Sequence, residues 1–64
     1  MLVNSKEESL KESISLYQFL SSKDYDISKI AVELNEKIVS KKDYETTILQ
    51  DSDSLEIVHF VGGG

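Results

Sequence analysis

Sixty-four residues make one small domain, and a chain of this length buries only about 60% of the surface it exposes when unfolded. With no cysteine and a single histidine, His59, the sequence excludes disulfides, a thiolate nucleophile and most zinc-ligand sets. A net charge of −5, with acids spread from Glu7 to Glu56, excludes phosphate backbones and anionic membranes as natural partners; a basic protein surface is its complement, and the solubility of a small domain accounts for the same charge without one.

Lys6, Glu7 and Glu8 arrive after five residues, which is too early for a signal peptide. No apolar run approaches the length of a membrane span. These features and the missing cysteines predict a cytoplasmic chain. Met1-Leu2-Val3 reads as a strand and Asn4-Ser5-Lys6 as a turn, since asparagine tolerates left-handed geometry. Residues 7–12 carry one apolar side chain, Leu10, and are predicted as a polar second strand at a sheet edge, where charge discourages strand addition.

The helix start is the clearest local signal. Ser15 and Gln18 have capping-box spacing, and Ile14 and Phe19 stand at the positions of a hydrophobic staple. Leu16, Phe19 and Leu20 share one face at helical spacing. Lys23 suits the negative pole of the dipole, so a helix is predicted over 16–23. Asp24-Tyr25-Asp26 reads as a connection, with Ile27 turned back to the core.

Ile30, Val32 and Leu34 alternate with Ala31 and Glu33, which predicts a strand with the first three facing inward. Asn35-Glu36-Lys37 reads as a turn and Ile38-Val39 as a short strand. Ser40 and Asp43 have capping spacing for one helical turn. Tyr44, Ile48 and Leu49 are expected to supply apolar contacts, and Asp51-Ser52-Asp53 to turn. Asp51 and Asp53 without further ligands make a poor calcium site. Residues 55–61 form the last and most apolar strand. Leu55, Ile57 and His59 share one of its faces, and Glu56, Val58 and Phe60 the other.

Two early strands, one helix and then more strands define an α+β pattern. Its simplest solution is a β-grasp (ubiquitin-like) fold, a mixed sheet packed on one helix, with the last strand central and beside the first. Residues 1–61 would be this domain and 62–64 a flexible glycine tail. Every glycine of the chain lies in that tail. Gly62 and Gly63 lack a Cβ, so they can thread a narrow channel and adopt the backbone angles a partner site demands. With Leu55 and Ile57 against the helix, Val58 and Phe60 fall on the open face of the sheet. Val58, Phe60, Val61 and the neighbouring Ala31 are therefore the candidate partner interface, Phe60 being an aromatic anchor beside the tail. His59 reads as a strand residue near the rim, and Lys41-Lys42 as a solvated pair.

Ile30-Ala31-Val32-Glu33-Leu34-Asn35, then Ile38-Val39, Thr47-Ile48-Leu49, Asp51-x-Asp53 and Glu56-Ile57-Val58-x-Phe60-Val61-Gly62-Gly63-Gly64 together resemble the ThiS family. Ser15-Leu16-x-x-Phe19-Leu20 is similar to the family's helix start. The likeness covers essentially the whole chain. The sequence departs from the family at Ser40-Lys41, where Pro-Arg is common, at Tyr44, where Trp is common, and at Ser5 and Ser52, where glycine is favoured.

The resemblance implies a sulfur carrier of thiamine (thiazole) biosynthesis, not an enzyme, whose Gly64 carboxylate becomes a thiocarboxylate. It implies three protein partners: a ThiF-type adenylating enzyme that uses ATP, a persulfide sulfur donor, and a ThiG-type thiazole synthase. The chain itself is expected to bind no cofactor or metal. A MoaD-type carrier for molybdopterin synthesis, a ubiquitin-like protein modifier and a plain interaction module with an idle tail are the alternatives. MoaD-like chains are usually longer, with a proline-rich approach to Gly-Gly, and this sequence has no proline.

Overall fold

The computed structural model describes residues 1–60; Val61, Gly62, Gly63 and Gly64, and with them the expected tail, lie outside the described residues. The elements run β1 (Leu2–Val3), β2 (Lys6–Glu7), α1 (Leu16–Ser22), a 3-10 turn at Ile27–Lys29, β3 (Ile30–Leu34), β4 (Lys37–Ile38), a 3-10 turn at Lys41–Asp43 and β5 (Ser54–His59). One mixed sheet has the order β2-β1-β5-β3-β4. β5 is central, parallel to β1 and antiparallel to β3. This is the β-grasp arrangement expected from the sequence.

Helix α1 forms where its local chemistry closes. The Gln18 amide donates to Ser15 Oγ at 3.1 Å, and the Ser15 amide donates to Gln18 Oε1 at 3.1 Å, so both halves of the capping box are made. Two more N-terminal amides find carbonyls on the 44–49 segment: Leu16 donates to Thr47 O at 2.7 Å and Tyr17 to Tyr44 O at 3.0 Å. Those bonds satisfy donors the helix cannot pair itself. The helix stops at Asp24, whose φ of 63° is left-handed. There the Tyr25 amide donates to Leu20 O and the Asp24 amide to Ser21 O, which is a Schellman motif built without glycine.

Leu16, Phe19 and Leu20 pack on Val3, Ile30, Val32, Leu55 and Ile57 from the sheet, with Met1, Tyr44 and Leu49 closing the ends of the core. Leu10, Ile14, Ile27, Leu34 and Val39 lie half-buried against it. Burial raises the Tyr44 phenol above its ordinary pKa. Ile48, expected to contribute apolar contacts, is exposed. It makes an antiparallel bridge with Ser15, and the inward position goes to Leu49 beside it.

Three strand boundaries differ from expectation, and for β2 and β4 the reason is the register set by tight turns. β2 is Lys6–Glu7, not 7–12, because Leu2 pairs with Glu7 and Val3 with Lys6 across a two-residue turn. Glu8 donates its amide to Met1 O, and the chain then leaves the sheet. β4 is Lys37–Ile38, not Ile38-Val39, because Leu34 pairs with Lys37 across Asn35-Glu36. β5 begins at Ser54 and ends at His59, so Phe60 lies just past it; the expected extension through Val61 falls outside the described residues.

Both two-residue turns carry positive φ at each central position: 51° and 69° at Asn4-Ser5, 51° and 71° at Asn35-Glu36. That is the type I′ pattern that suits a right-twisted hairpin and normally uses glycine. A serine or glutamate held there costs on the order of 1 kcal/mol. Ser52 is different. Gln50 O accepts from the Asp53 amide at 3.0 Å, but Ser52 is not among the positive-φ residues. Neither central residue of the Asp51-Ser52 turn has positive φ, so nothing there requires glycine. Replacing Ser5 and Glu36 together by glycine should raise stability by about 1 kcal/mol, less than the relief of strain because glycine also loosens the unfolded chain. Urea unfolding measures this, and a lower midpoint would show that these turns do not need positive φ in solution.

Candidate functional site: the open sheet face at the end of β5

The open face is fixed by strand parity. Leu55 and Ile57 are buried beneath the helix, whereas Val58 is 55% and Phe60 52% exposed. Ala31 lies directly opposite Val58 on β3 and is half-buried, so a small side chain flattens the surface beside two large exposed ones. The face assignment made from the sequence holds for Ala31, Val58 and Phe60. Val61, the fourth candidate contact, and the tail residues Gly62, Gly63 and Gly64 lie outside the described residues.

Two features of this face escaped the sequence reading. Ile38 is 78% exposed and pairs with Glu33, whose own partner on β5 is Glu56. Ile38, Glu33 and Glu56 thus form a row on the open side, next to the Ala31–Val58 row. The signal was present in the pairing across Asn35-Glu36, but a glutamate in a left-handed turn position does not announce a type I′ hairpin. The second feature is Lys41. Its Nζ stands 5.6 Å from the centroid of the Phe60 ring and donates to Ser28 O at 3.4 Å. The contact joins residues far apart in sequence, and no local pattern predicts it.

The corner beneath Phe60 is built by the 3-10 turn at Ile27–Lys29. Asp26 caps it, accepting from the Ser28 hydroxyl at 2.7 Å and the Ser28 amide at 3.1 Å. Those two hydrogen bonds, with lesser help from Lys29 and Lys41, hold the Asp26 carboxyl below its ordinary pKa. Lys29 O accepts the Phe60 amide at 2.8 Å, so sheet pairing continues one residue beyond β5. On the opposite side of the strand, His59 is exposed and its ring lies 5.4 Å from that of Tyr25 at a 31° tilt.

The start of β5 is tied just as closely. The Ser54 amide donates to Asn35 Oδ1 at 2.9 Å, and Asn35 Nδ2 donates to Asp53 Oδ1 at 3.0 Å. Asp53 Oδ2 accepts from the Gln50 amide at 2.8 Å, which gives Asp53 a turn role. Lys42 makes no ion pair within 4 Å among the described residues.

A mixed sheet of this order folded over one helix, with its central last strand leading directly to the glycine-rich residues, places the chain in the class of ubiquitin-like β-grasp proteins. Within that class the comparisons are specific. The ThiS family model matches residues 1–64, and the chain belongs to that family.

The sulfur carrier protein ThiS of Bacillus subtilis is 39% identical over 54 residues, covering 84% of this chain and 82% of the relative. The crystal structure of the thiamine biosynthesis protein ThiS from Geobacter metallireducens superposes with a TM-score of 0.84 at 30% identity, covering 98% of this chain and 96% of that one. A thiazole synthase of Paramagnetospirillum magneticum is 38% identical over 64 residues, covering 100% of this chain and 20% of the synthase. The chain therefore spans about a fifth of that relative's length.

Proposed function

We propose that this chain is a sulfur carrier of thiamine biosynthesis, and that the carboxylate of Gly64 is its working group. The family match across residues 1–64, glycine end included, carries the reading. The chain acts as a carrier that is loaded and unloaded by enzymes and is not itself a catalyst. Its place of work is the cytoplasm; no helix among the described residues is long and apolar enough to cross a membrane.

The chemistry sets what each participant supplies. A carboxylate is a poor electrophile, so an adenylating enzyme of the ThiF type must first activate it. One Gly64 carboxylate oxygen attacks the α-phosphorus of ATP and pyrophosphate leaves, giving an acyl-adenylate. The terminal sulfur of a donor protein's persulfide then attacks the carbonyl carbon and AMP leaves. A second thiolate cleaves the resulting acyl disulfide at the donor sulfur, leaving –C(=O)S⁻ on Gly64. A ThiG-type thiazole synthase accepts that sulfur. The homology to thiazole synthases supports this last partner, because a domain like this one sits within their chains.

The four residues after Phe60 span at most about 14 Å. Whatever holds the carrier must therefore contact the body close to the end of β5. The open face of Ala31, Val58 and Phe60 is the surface in reach, with Val61 the next residue of the chain toward the tail. Gly62 and Gly63 then pass through the partner's channel.

Intact mass tests the reading. Incubation with a ThiF-type enzyme, ATP and a persulfide donor should replace one oxygen by sulfur at Gly64, and adding thiazole synthase with its other substrates should return the original mass. No sulfur gain would overturn the proposal. Sulfur loading without release to thiazole synthase, but with release to molybdopterin synthase, would reassign the pathway. Phe60→Ala should raise the KM for activation roughly tenfold, an interface-anchor effect, while changing stability by less than about 0.5 kcal/mol. The reverse result would place Phe60 in the core.

A further inference from the structure

The last residues of β5 are held along one edge. β1 pairs with β5 only as far as Leu55, opposite Val3. Asn4 extends that flank slightly: its amide donates to Leu55 O at 2.8 Å, and its Oδ1 accepts from the Ile57 amide at 2.7 Å. Among the described residues, no backbone hydrogen bond joins Val58, His59 or Phe60 to that flank. Their partners are β3 and, for Phe60, Lys29 O. A strand end paired on one side frays easily unless its side chains are held.

Both terminal side chains are held, one on each face of the sheet. His59 lies against the ring of Tyr25 on the core side. Phe60 lies under the ammonium of Lys41 on the open side. Each holder is itself anchored. The Tyr25 amide is bonded to Leu20 O in the helix cap, and Lys41 Nζ is bonded to Ser28 O. That carbonyl neighbours Lys29 O, the acceptor of the Phe60 amide.

We propose that Tyr25 and Lys41 are positioning residues that clamp His59 and Phe60 from opposite faces and so fix the root of the C-terminal arm. The inference rests on the reading of Gly64 as the activated group. An arm rooted at a fixed point samples a smaller volume, which raises the effective concentration of its carboxylate at a reaction centre. The clamp acts after the body has docked, so it bears on turnover more than on affinity.

Tyr25 also packs against the core, so the test removes the other member of its pair. Lys41→Ala, Lys41→Arg, His59→Ala and the double variant Lys41→Ala/His59→Ala are compared with the parent chain. Amide hydrogen exchange reads the root directly, and steady-state activation by a ThiF-type enzyme with saturating ATP reads its consequence. In the double variant, exchange at the Phe60 amide should accelerate at least tenfold while the Val32 and Ile57 amides keep their rates. The kcat should fall roughly tenfold with KM changed less than twofold. Lys41→Arg, which keeps a cation over the ring, should behave as the parent.

Unchanged exchange at Phe60, or an unchanged kcat, overturns the clamp. So does a rise in KM alone, which would make Lys41 a docking contact. A chain ending in a Gly64 carboxamide separates the two levels. If that chain is still activated, the reading of Gly64 fails and the exchange result stands by itself. If it is inert while the double variant turns over normally, only the clamp fails.

Discussion

Shortening the chain by Gly64 should lower its activation by at least a hundredfold and leave its folding unchanged. The shortened chain still ends in a carboxylate, now on Gly63, so the loss does not come from missing chemistry. It comes from reach. One residue contributes at most about 3.6 Å, and a displacement of about 1 Å from the reacting geometry already costs roughly a hundredfold. On the proposed docking through Ala31, Val58 and Phe60 the body is fixed, so the arm cannot recover the distance by moving it. The buried core of the described residues ends at Ile57, and Gly64 has no side chain to bury, so thermal unfolding should occur within a degree or two of the parent, as for a substitution far from the core. A carboxamide at Gly64 keeps the full length but removes the attacking carboxylate oxygen, and it should be inert. Normal activation of the shortened chain would mean that the partner grips elsewhere. A clear drop in melting temperature would give the tail a structural role instead.

The same region shows what the sequence could and could not disclose. Parity along β5 was legible because Leu55 and Ile57 are apolar, Glu56 is charged, and the strand needs one buried face. The capping box at Ser15 and Gln18 was legible because its two hydrogen bonds span three residues. The strand over Ile30–Leu34 was legible from simple alternation. What failed was register. A glycine in either hairpin would have marked a type I′ turn, but the chain uses Asn4-Ser5 and Asn35-Glu36 and accepts their strain. That choice hid the short extent of β2 and moved β4 by one residue, and with it the exposed place of Ile38 opposite Glu33. The contacts that hold the end of β5 were hidden for another reason. Tyr25 meets His59, and Lys41 meets Phe60, only after the sheet has formed.

Leu55→Ala should lower stability by about 3 kcal/mol, because Leu55 is fully buried and its neighbours cannot close the space it would leave. Across the sheet it stands between Val3 on β1 and Leu34 on β3, and the helix lies over this row. Removing the side chain forfeits apolar burial and opens a void at the junction of the parallel and antiparallel halves. A domain this small has a total stability of roughly 3–10 kcal/mol, so the variant approaches its unfolding threshold at ambient temperature. Each kcal/mol shifts the midpoint by about 4–8 °C at this size, so a fall of roughly 12–24 °C is expected. Val58→Ala, three residues along the same strand but facing outward, should change stability by less than about 0.5 kcal/mol. The functional consequences should diverge as well. Leu55→Ala should lose sulfur loading in proportion to its unfolded fraction and recover it on cooling toward the stability maximum. Val58→Ala should stay folded and lose affinity for the activating enzyme at every temperature. If both variants lost loading through unfolding alone, β5 would serve the core and not the interface. If Leu55→Ala proved as mild as Val58→Ala, the face assignment on which the docking surface depends would be wrong.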